Sequence, residues 1–570
     1  MQESYAKLFS EYNPIVETTI DLKGDTLKLK SDSILSITSG GRIINGVIKG
    51  NNSRLVIEGH NNLGVTLIGE WIMPNISDDF FDDRILSDDD IICSINSLMS
   101  NNEHNSIILN KDYCIGIYEE SGYGLDIKSN TDVVINGTIR LKPNKWKHYY
   151  IIQIKERSNV TIIGGTIMGD VGMHEYVPKS SSEWGMGFYI FNSHNINIQD
   201  SRVSLCTGDG IYIGGGVEKS MDIYTKASDN IVLAGIVSDS NRRQGLSITH
   251  AQDVTVKNCV FSNTGQVERT APASGIDIEP NRRQSVRNVL ISNCRFDNNN
   301  NYALVSGGTY RVSPGKADTY NISIKDCDIN GIVYICNGAT QIDNCDIYYL
   351  KLRDTDMPKG IIEVLNSTIY NGLYIGSTKL KDRIESNPQI VFRNSKILKN
   401  RGGPNPKSLL TVDLRDDVRT SIKFDGCFLS VPTSINCRFF SGSTSLQCTF
   451  IHCVIDLTDK ELISNGAHYS DSVLKCRYIG IKSKDGMCDI FNGCRIDTSD
   501  EDTVFWVYDN HKQNTIDFQL LNCKVNNTSA YPFSLKTNRK SNLTCRVVDN
   551  SFHLDNTSLL KAKYESLIVR

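Results

Sequence analysis

Two short phrases hold carboxylates in settings where they could work as acids and bases. One is CTGDG, with Asp209 between two glycines; the other is SGIDIEP, with Asp277 and Glu279 two apart on an alternating apolar strand. Successive side chains of a strand point to opposite faces, so Ile276 and Ile278 share the inner face and Asp277 and Glu279 share the outer one. Their Cα atoms would lie about 6.6 Å apart. Paired carboxyls suit proton transfer at a glycosidic bond, where inverting cleavage wants about 6.5–9.5 Å between them and retaining cleavage about 5–5.5 Å. Like charges held close also raise the pKa of one member, as a general acid requires. The plainer reading of Asp209 is a turn aspartate bonding its own backbone. That of Asp277 and Glu279 is a solvated face paired with Arg282 and Arg283.

These acids acquire a register because one apolar strand recurs. GFYIF starts at Gly187, GIYIG at Gly210, GLSIT at Gly245, GIDIE at Gly275 and YALVS at Tyr302, at intervals of 23, 35, 30 and 27 residues. A fixed phrase at a variable interval of this size describes stacked coils carrying loops of different length. Aligned, the phrases place Tyr189 and Phe191, Tyr212 and Gly214, Ser247 and Thr249, then Asp277 and Glu279 on one outer strip, with about 4.8 Å between coils. Met186, Asp209, Gln244 and Ser274 align at the preceding turn, which puts Asp209 two coils, about 10 Å, from Asp277. Rings, hydroxyls and acids on one strip describe a sugar-binding groove. Asp209, Asp277 and Glu279 are its candidate catalytic residues, and Tyr189, Tyr212, Gln244 and Ser247 line it. Arg242 and Arg243 stand at its lip in NRRQG, where a guanidinium could grip the carboxylate of an acidic sugar or brace neighbouring coils. The long loop before Gly187 adds Asp170, His174, Glu183 and Trp184, since binding often resides in long loops on one face of a repeat.

The elements that must position these residues are strands. Segments of three to five alternating residues recur from Thr18 onward between turns rich in Gly, Asn and Asp. Cysteine recurs in the same frame, as KNCVF at Cys259, SNCRF at Cys294, DNCDI at Cys345, NGCRI at Cys494 and LNCKV at Cys523. The total of 17 is odd, and neither a CxxC pair nor a zinc-spaced His/Cys cluster occurs, so these cysteines read as small buried hydrophobes and no metal site is expected. The fold class predicted is all-β, a right-handed parallel β-helix, with one short helix at Asp90–Ser100 leading into the coils. Residues 1–85 read as an N-terminal β-rich segment, 86–400 as β-helix with the glycan site, and 401–570 as further coils or a separate β-domain, with a break at RGGPNPK (Arg401 to Lys407). With 61 basic against 65 acidic residues, the net charge of −4 makes no case for nucleic acid or an anionic membrane as partner. No apolar run approaches the roughly 20 residues of a membrane span, and the start MQESYAKLFSEYNP lacks the apolar core of a secretory signal.

GTIMGD (Gly165 to Asp170), SEWGMG (Ser182 to Gly187), GDGIYIG (Gly208 to Gly214), NRRQGLSI (Asn241 to Ile248) and SGIDIEPN (Ser274 to Asn281) resemble the pectate-lyase-like β-helix superfamily, and more closely its phage tailspikes and bacterial polysaccharide-degrading enzymes. The resemblance implies a polysaccharide partner, a homotrimer, and a virion-associated or extracellular location. Against the polygalacturonase-type pattern, Asp209 matches one catalytic acid, but Gln244 stands at the histidine position and Asp277 and Glu279 replace an Arg and a Lys. A different glycan or mechanism is implied. Three activities remain open: hydrolysis through Asp209, Asp277 and Glu279 without a cofactor; a lyase reaction, with a base such as His174 and Ca²⁺ against a uronate; and glycan binding without cleavage.

Overall fold

The computed structural model describes residues 8–9, 11–99, 103–177, 182–216, 227–281, 283–307, 318–336, 339–353, 361–376, 389–399, 408–413, 421–432, 438–442, 447–464, 466–481, 488–501, 504–508, 515–526, 533–536, 544–549 and 567–569. The chain forms two compact units, one of residues 1–290 with 294–303, the other of residues 291–293 with 304–570.

The first unit opens on a six-stranded parallel sheet whose long strand Arg42–Ile57 pairs with Thr19–Asp21, Thr26–Lys28, Ile34–Ile37 and Leu63–Ile72. The helix follows at Asp88–Leu98, two residues earlier at each end than the apolar spacing predicts. Its start is set by Ser87, whose hydroxyl accepts from the Asp90 amide while the Asp90 carboxylate accepts from the Ser87 amide. Asp88, Asp89 and Asp90 complement the positive end of the helix. Ile91, Ile92, Ile95 and Leu98 form its buried face, and the Ser94 hydroxyl accepts from the Leu67 amide at 2.9 Å.

Coils then stack as a right-handed parallel β-helix. Gly122–Asp126, His148–Lys155, Trp184–Phe191, Asp209–Gly214, Gln244–Ile248 and Ser274–Ile278 each pair in parallel with the next. Ile152, Phe188, Ile211, Leu246 and Ile276 form one fully buried ladder, and Ile154, Ile190, Ile213, Ile248 and Ile278 a second. The glycine that begins each repeated phrase answers to close approach. A Cβ on Gly187, Gly210 or Gly245 would lie 2.6, 2.9 or 2.5 Å from the carbonyl oxygen of the equivalent glycine one coil on.

The cysteine phrase has a local cause. The residue before each of Cys259, Cys294, Cys327, Cys345, Cys427, Cys453, Cys494 and Cys523 holds a positive φ of 50–64°, and is Asn, Asp, Gly or His. Asn, Asp and Gly tolerate this left-handed conformation best. The turn sends the next side chain inward against backbone, where only a small residue fits. Ser367, Ser395 and Ser472 occupy the same position after Asn366, Asn394 and Asp471. Their hydroxyls donate to the carbonyl two residues back, as the Cys259 thiol does. All fifteen described cysteines whose pairing is known are free thiols, and only Cys93 and Cys114 are exposed.

The second unit repeats the pattern. Its strands after residue 408 pair in parallel with one another and with those before them, so this region consists of further coils. Phe392, Phe424, Phe450, Tyr469 and Phe491 stack along its core with ring centres 4.8–5.0 Å apart, matching the strand spacing. The Arg401–Lys407 break lies outside the described residues.

Candidate functional site

The outer strip has the expected register. Tyr189 pairs with Tyr212, Tyr212 with Ser247, and Ser247 with Asp277, while Asp209, Gln244 and Ser274 align at the strand starts. Its accessibility differs from the open groove that alternation predicts. Tyr212, Ser247, Thr249 and Asp277 are only 8%, 3%, 8% and 3% exposed. The rings stack on each other, Tyr150 on Tyr189 at 3.9 Å and Tyr189 on Tyr212 at 5.4 Å. Their faces are therefore spent on neighbouring coils, and edges and hydroxyls are what remain for a ligand.

Asp209 is fully buried and lies under Arg243, whose Nη1 donates to both carboxylate oxygens at 3.1 Å. The Ser247 hydroxyl donates to Asp209 Oδ2 at 2.7 Å. Strict alternation would turn Asp209 inward with Ile211. The turn entering the strand rotates this first residue to the outer side, and Gln244 behaves alike: its Nε2 donates to Asp277 Oδ2 at 2.6 Å, and its Oε1 accepts from the Ser274 amide at 3.1 Å. The other oxygen of Asp277, Oδ1, is buried without a hydrogen-bond partner among the described residues.

The electrostatics separate the two aspartates. Burial pushes the Asp209 carboxyl above its usual range, opposed by the Arg243 charge and the Ser247 hydrogen bond. Asp277 is pushed well above that range, first by burial and next by the neighbouring charge of Glu279, with Arg243 opposing. Glu279 is half-buried, one residue beyond the end of the strand Ser274–Ile278. Arg243 thus stands among Asp209, Glu183 and Asp277, with Glu183 Oε2 3.8 Å from its Nε. The Trp184 ring covers the guanidinium at 5.8 Å, and Thr270 donates to Glu183 at 3.0 Å.

The remaining predicted residues divide. Arg242 braces coils: its Nη1 donates to the Ser182 and Thr207 carbonyls, and its guanidinium lies 4.7 Å over the Tyr176 ring. Asp170 and His174 form a separate network with fully buried side chains, Oδ2 to Nδ1 at 3.0 Å, and Tyr149 and Asn144 complete it. Among the described residues, no hydrogen bond or ion pair joins this pair to Asp209 or Asp277. Sequence reasoning missed Tyr150, which extends the aromatic stack, and Thr270. The signal for Tyr150 was present in HYYIIQIK, an apolar strand one coil before WGMGFYIF, but it lacks the leading glycine of the repeated phrase. The same strip runs on through Gln153 to Asp126. There a cleft of about 850 Å³ opens between Trp71, Asp90 and Cys93 on one side and Tyr118, Tyr123 and Asp126 on the other. It lies five coil steps from Asp277, roughly 24 Å, so the acids and the cleft are ends of one strip rather than one site.

Among the described residues, no group of three or more His, Cys, Asp and Glu side chains is placed to hold a metal ion, and no helix is long and apolar enough to cross a membrane. The acids that a Ca²⁺ ion would need are turned toward Arg243 and Gln244 instead.

Residues 218–315 match the family model described as a right handed beta helix region. A 162-residue stretch is 33% identical to the uncharacterized protein YclG of Bacillus subtilis, spanning 27% of this chain and 27% of that relative. Among solved structures, the A-module of the mannuronan C-5 epimerase AlgE6 of Azotobacter vinelandii aligns at a TM-score of 0.41 and 15% identity, over 60% of this chain and 90% of that one. A double mutant of the tailspike protein of E. coli bacteriophage HK620 aligns at 0.35 and 10%, over 82% and 72%. With its stacked parallel coils and its matching region, the chain is a right-handed parallel β-helix protein.

Proposed function

We propose that the chain hydrolyses a polysaccharide of a bacterial surface or cell wall, with Asp277 as general acid and Glu279 as general base. The observation that supports this most is the state of Asp277: a buried carboxyl, repelled by Glu279, with one oxygen held by Gln244 and the other unpaired. Burial and the Glu279 charge favour the protonated form of such a group, as a general acid requires, and its unpaired oxygen is the one left to carry the proton. In the reaction, Asp277 gives its proton to the glycosidic oxygen as the bond to the anomeric carbon breaks. Water attacks that carbon from the opposite face and passes a proton to Glu279. Asp209 is assigned a positioning role, holding Arg243 beside the acids, and Arg243, Trp184 and Glu183 form the wall against which the sugar is oriented. The polymer is taken to run along the strip from Asp277 toward the cleft at Asp126. The same reading places the protein on a virion or outside a cell, as a homotrimer.

The test is incubation of the full chain with a panel of bacterial capsular and cell-wall polysaccharides, products being read by mass spectrometry and ultraviolet absorbance. Products heavier by one water, with no new absorbance and lost in Asp277→Asn, support hydrolysis. Unsaturated ends would establish a lyase, and tight binding with no product an adhesin; either outcome overturns the assignment.

A further inference from the structure

The cleft of about 850 Å³ at the far end of the strip lies wholly within the first unit. Three elements meet there: the strand Leu63–Ile72, the helix Asp88–Leu98, and the strand Gly122–Asp126 with the segment before it. Hydrogen bonds fix its floor. Asn96 Oδ1 accepts from the Asp126 amide at 2.9 Å and its Nδ2 donates to the Gly124 carbonyl at 2.8 Å, which ties the helix to the coil. The buried Asp126 carboxylate accepts from Gln153 at 3.0 Å and from Lys128.

Two tyrosines line this cleft without being covered. The Tyr118 ring lies against the Gly116 backbone, where an added Cβ would come within 2.5 Å of it. Its hydroxyl donates to Asp89, which also accepts from Lys142 at 2.7 Å. Held at both places, the ring is still 72% exposed. Tyr123 is 44% exposed, and its hydroxyl makes no hydrogen bond among the described residues. Filling of a gap between elements accounts for Trp71, which is 2% exposed and donates from Nε1 to the Ile68 carbonyl at 2.9 Å. It does not account for the tyrosines, because a ring that fills a gap loses its exposure. Fixed rings left open in a polar concavity suit a ligand with an apolar face and a polar rim, which is the shape of a sugar ring.

Charge sets the class of sugar. The cleft is lined by four carboxylates, Glu70, Asp89, Asp90 and Asp126, against the one ammonium of Lys128. Glu70 makes no side-chain hydrogen bond or ion pair among the described residues. Sugar hydroxyls can donate to such oxygens, whereas a carboxylate, sulfate or phosphate on the ligand is repelled. We propose that the cleft, with Tyr118 and Tyr123 as ring platforms and Glu70 as acceptor, is a binding site for an uncharged sugar segment, separate from the acids around Asp277. The proposal rests on the glycan-binding part of the function reading and is independent of cleavage.

The molecule carries its own reporter. Cys93 is exposed and lines the cleft, while Cys114 is exposed and does not. The full chain is alkylated with iodoacetamide at matched ionic strength in the presence of cellohexaose, β-1,4-galactohexaose, chitohexaose, hexagalacturonate or hexalysine, and mass spectrometry of the two peptides reads the rate at each cysteine. The expected result is that at least one neutral hexamer saturably slows Cys93 while Cys114 is unchanged. Its half-maximal concentration rises about tenfold in Tyr118→Ala or Tyr123→Ala, and hexagalacturonate protects more weakly than the neutral hexamer. Asp277→Asn keeps the protection even if no cleavage activity is ever found, so the cleft and the cleavage reading fail separately. Protection by none of the three neutral hexamers overturns the site. Equal or tighter protection by hexagalacturonate overturns the uncharged class, and protection by hexalysine alone makes the occupant a cationic peptide and overturns the assignment to sugar. Protection that both tyrosine variants leave unchanged overturns the role of the rings.

Discussion

Asp277 and Asp209 have the same side chain at the same depth, and burial raises both carboxyls, but their hydrogen-bond partners differ. Asp277 meets an amide and a second acid, whereas Asp209 meets a guanidinium and a hydroxyl. Replacing Asp277 by Asn removes the transferable proton but keeps the shape, so cleavage of a polysaccharide substrate is expected to fall by at least ~100-fold, measured as initial rate. Stability supplies an independent check. With the folded pKa raised above the ordinary 3.8, the folded state binds the proton more tightly than the unfolded chain. The contribution of Asp277 to stability is therefore complete below about pH 4 and is lost as pH rises through the folded value. Asp277→Asn lacks this loss, so its melting temperature relative to the parent is expected to rise between pH 4 and pH 8. Asp209→Ala acts the other way: it leaves Arg243, 17% exposed, with only the longer-range charges of Asp277 and Glu183, and unfolding in denaturant is expected to show roughly 3 kcal/mol of destabilisation. Both acids stand out in the sequence as candidates; how far each upward shift is opposed depends on Gln244 and Arg243 arriving from another coil.

At the scale of the strand, the repeated phrase is the trace of two packing constraints. The glycine column records that each coil presses on the next, and Gly245 illustrates it, since a Cβ there would meet the Gly275 carbonyl at 2.5 Å and the Phe261 ring at 3.0 Å. Gly245→Val is accordingly expected to yield little soluble protein, and what remains should be cleaved by protease far faster than the parent. The Asn-Cys pair records a left-handed residue followed by a small inward one, and serine serves equally at Ser367 and Ser395. What the period of two did not convey is the exception at the first residue of each strand. Asp209 and Gln244 leave the alternation because the preceding turn sets their direction, and that turn depends on the coil beneath. The aromatic strip follows a related rule: rings at strand spacing stack on one another before they can meet a ligand.

For the molecule as a whole, 17 cysteines and a net charge of −4 describe scaffold more than chemistry. Buried thiols stacked behind turns should be silent toward a thiol reagent in the native state. Cys93 and Cys114 are expected to react promptly with Ellman's reagent, and the buried cysteines only after denaturation; rapid reaction of the full set would contradict the internal ladders. The near-balanced charge conceals a local gathering of acids around Arg243 in the first unit. By itself the sequence determined the fold class, the register of Tyr189, Tyr212, Ser247 and Asp277, and the small-residue ladders, because these follow from periodicity and from which residues a turn or a close approach admits. Only the tertiary structure decided which side chains are buried and how each acid is paired. Those properties come from neighbours about 20 to 40 residues away along the chain but one coil away in space, and no local pattern records them.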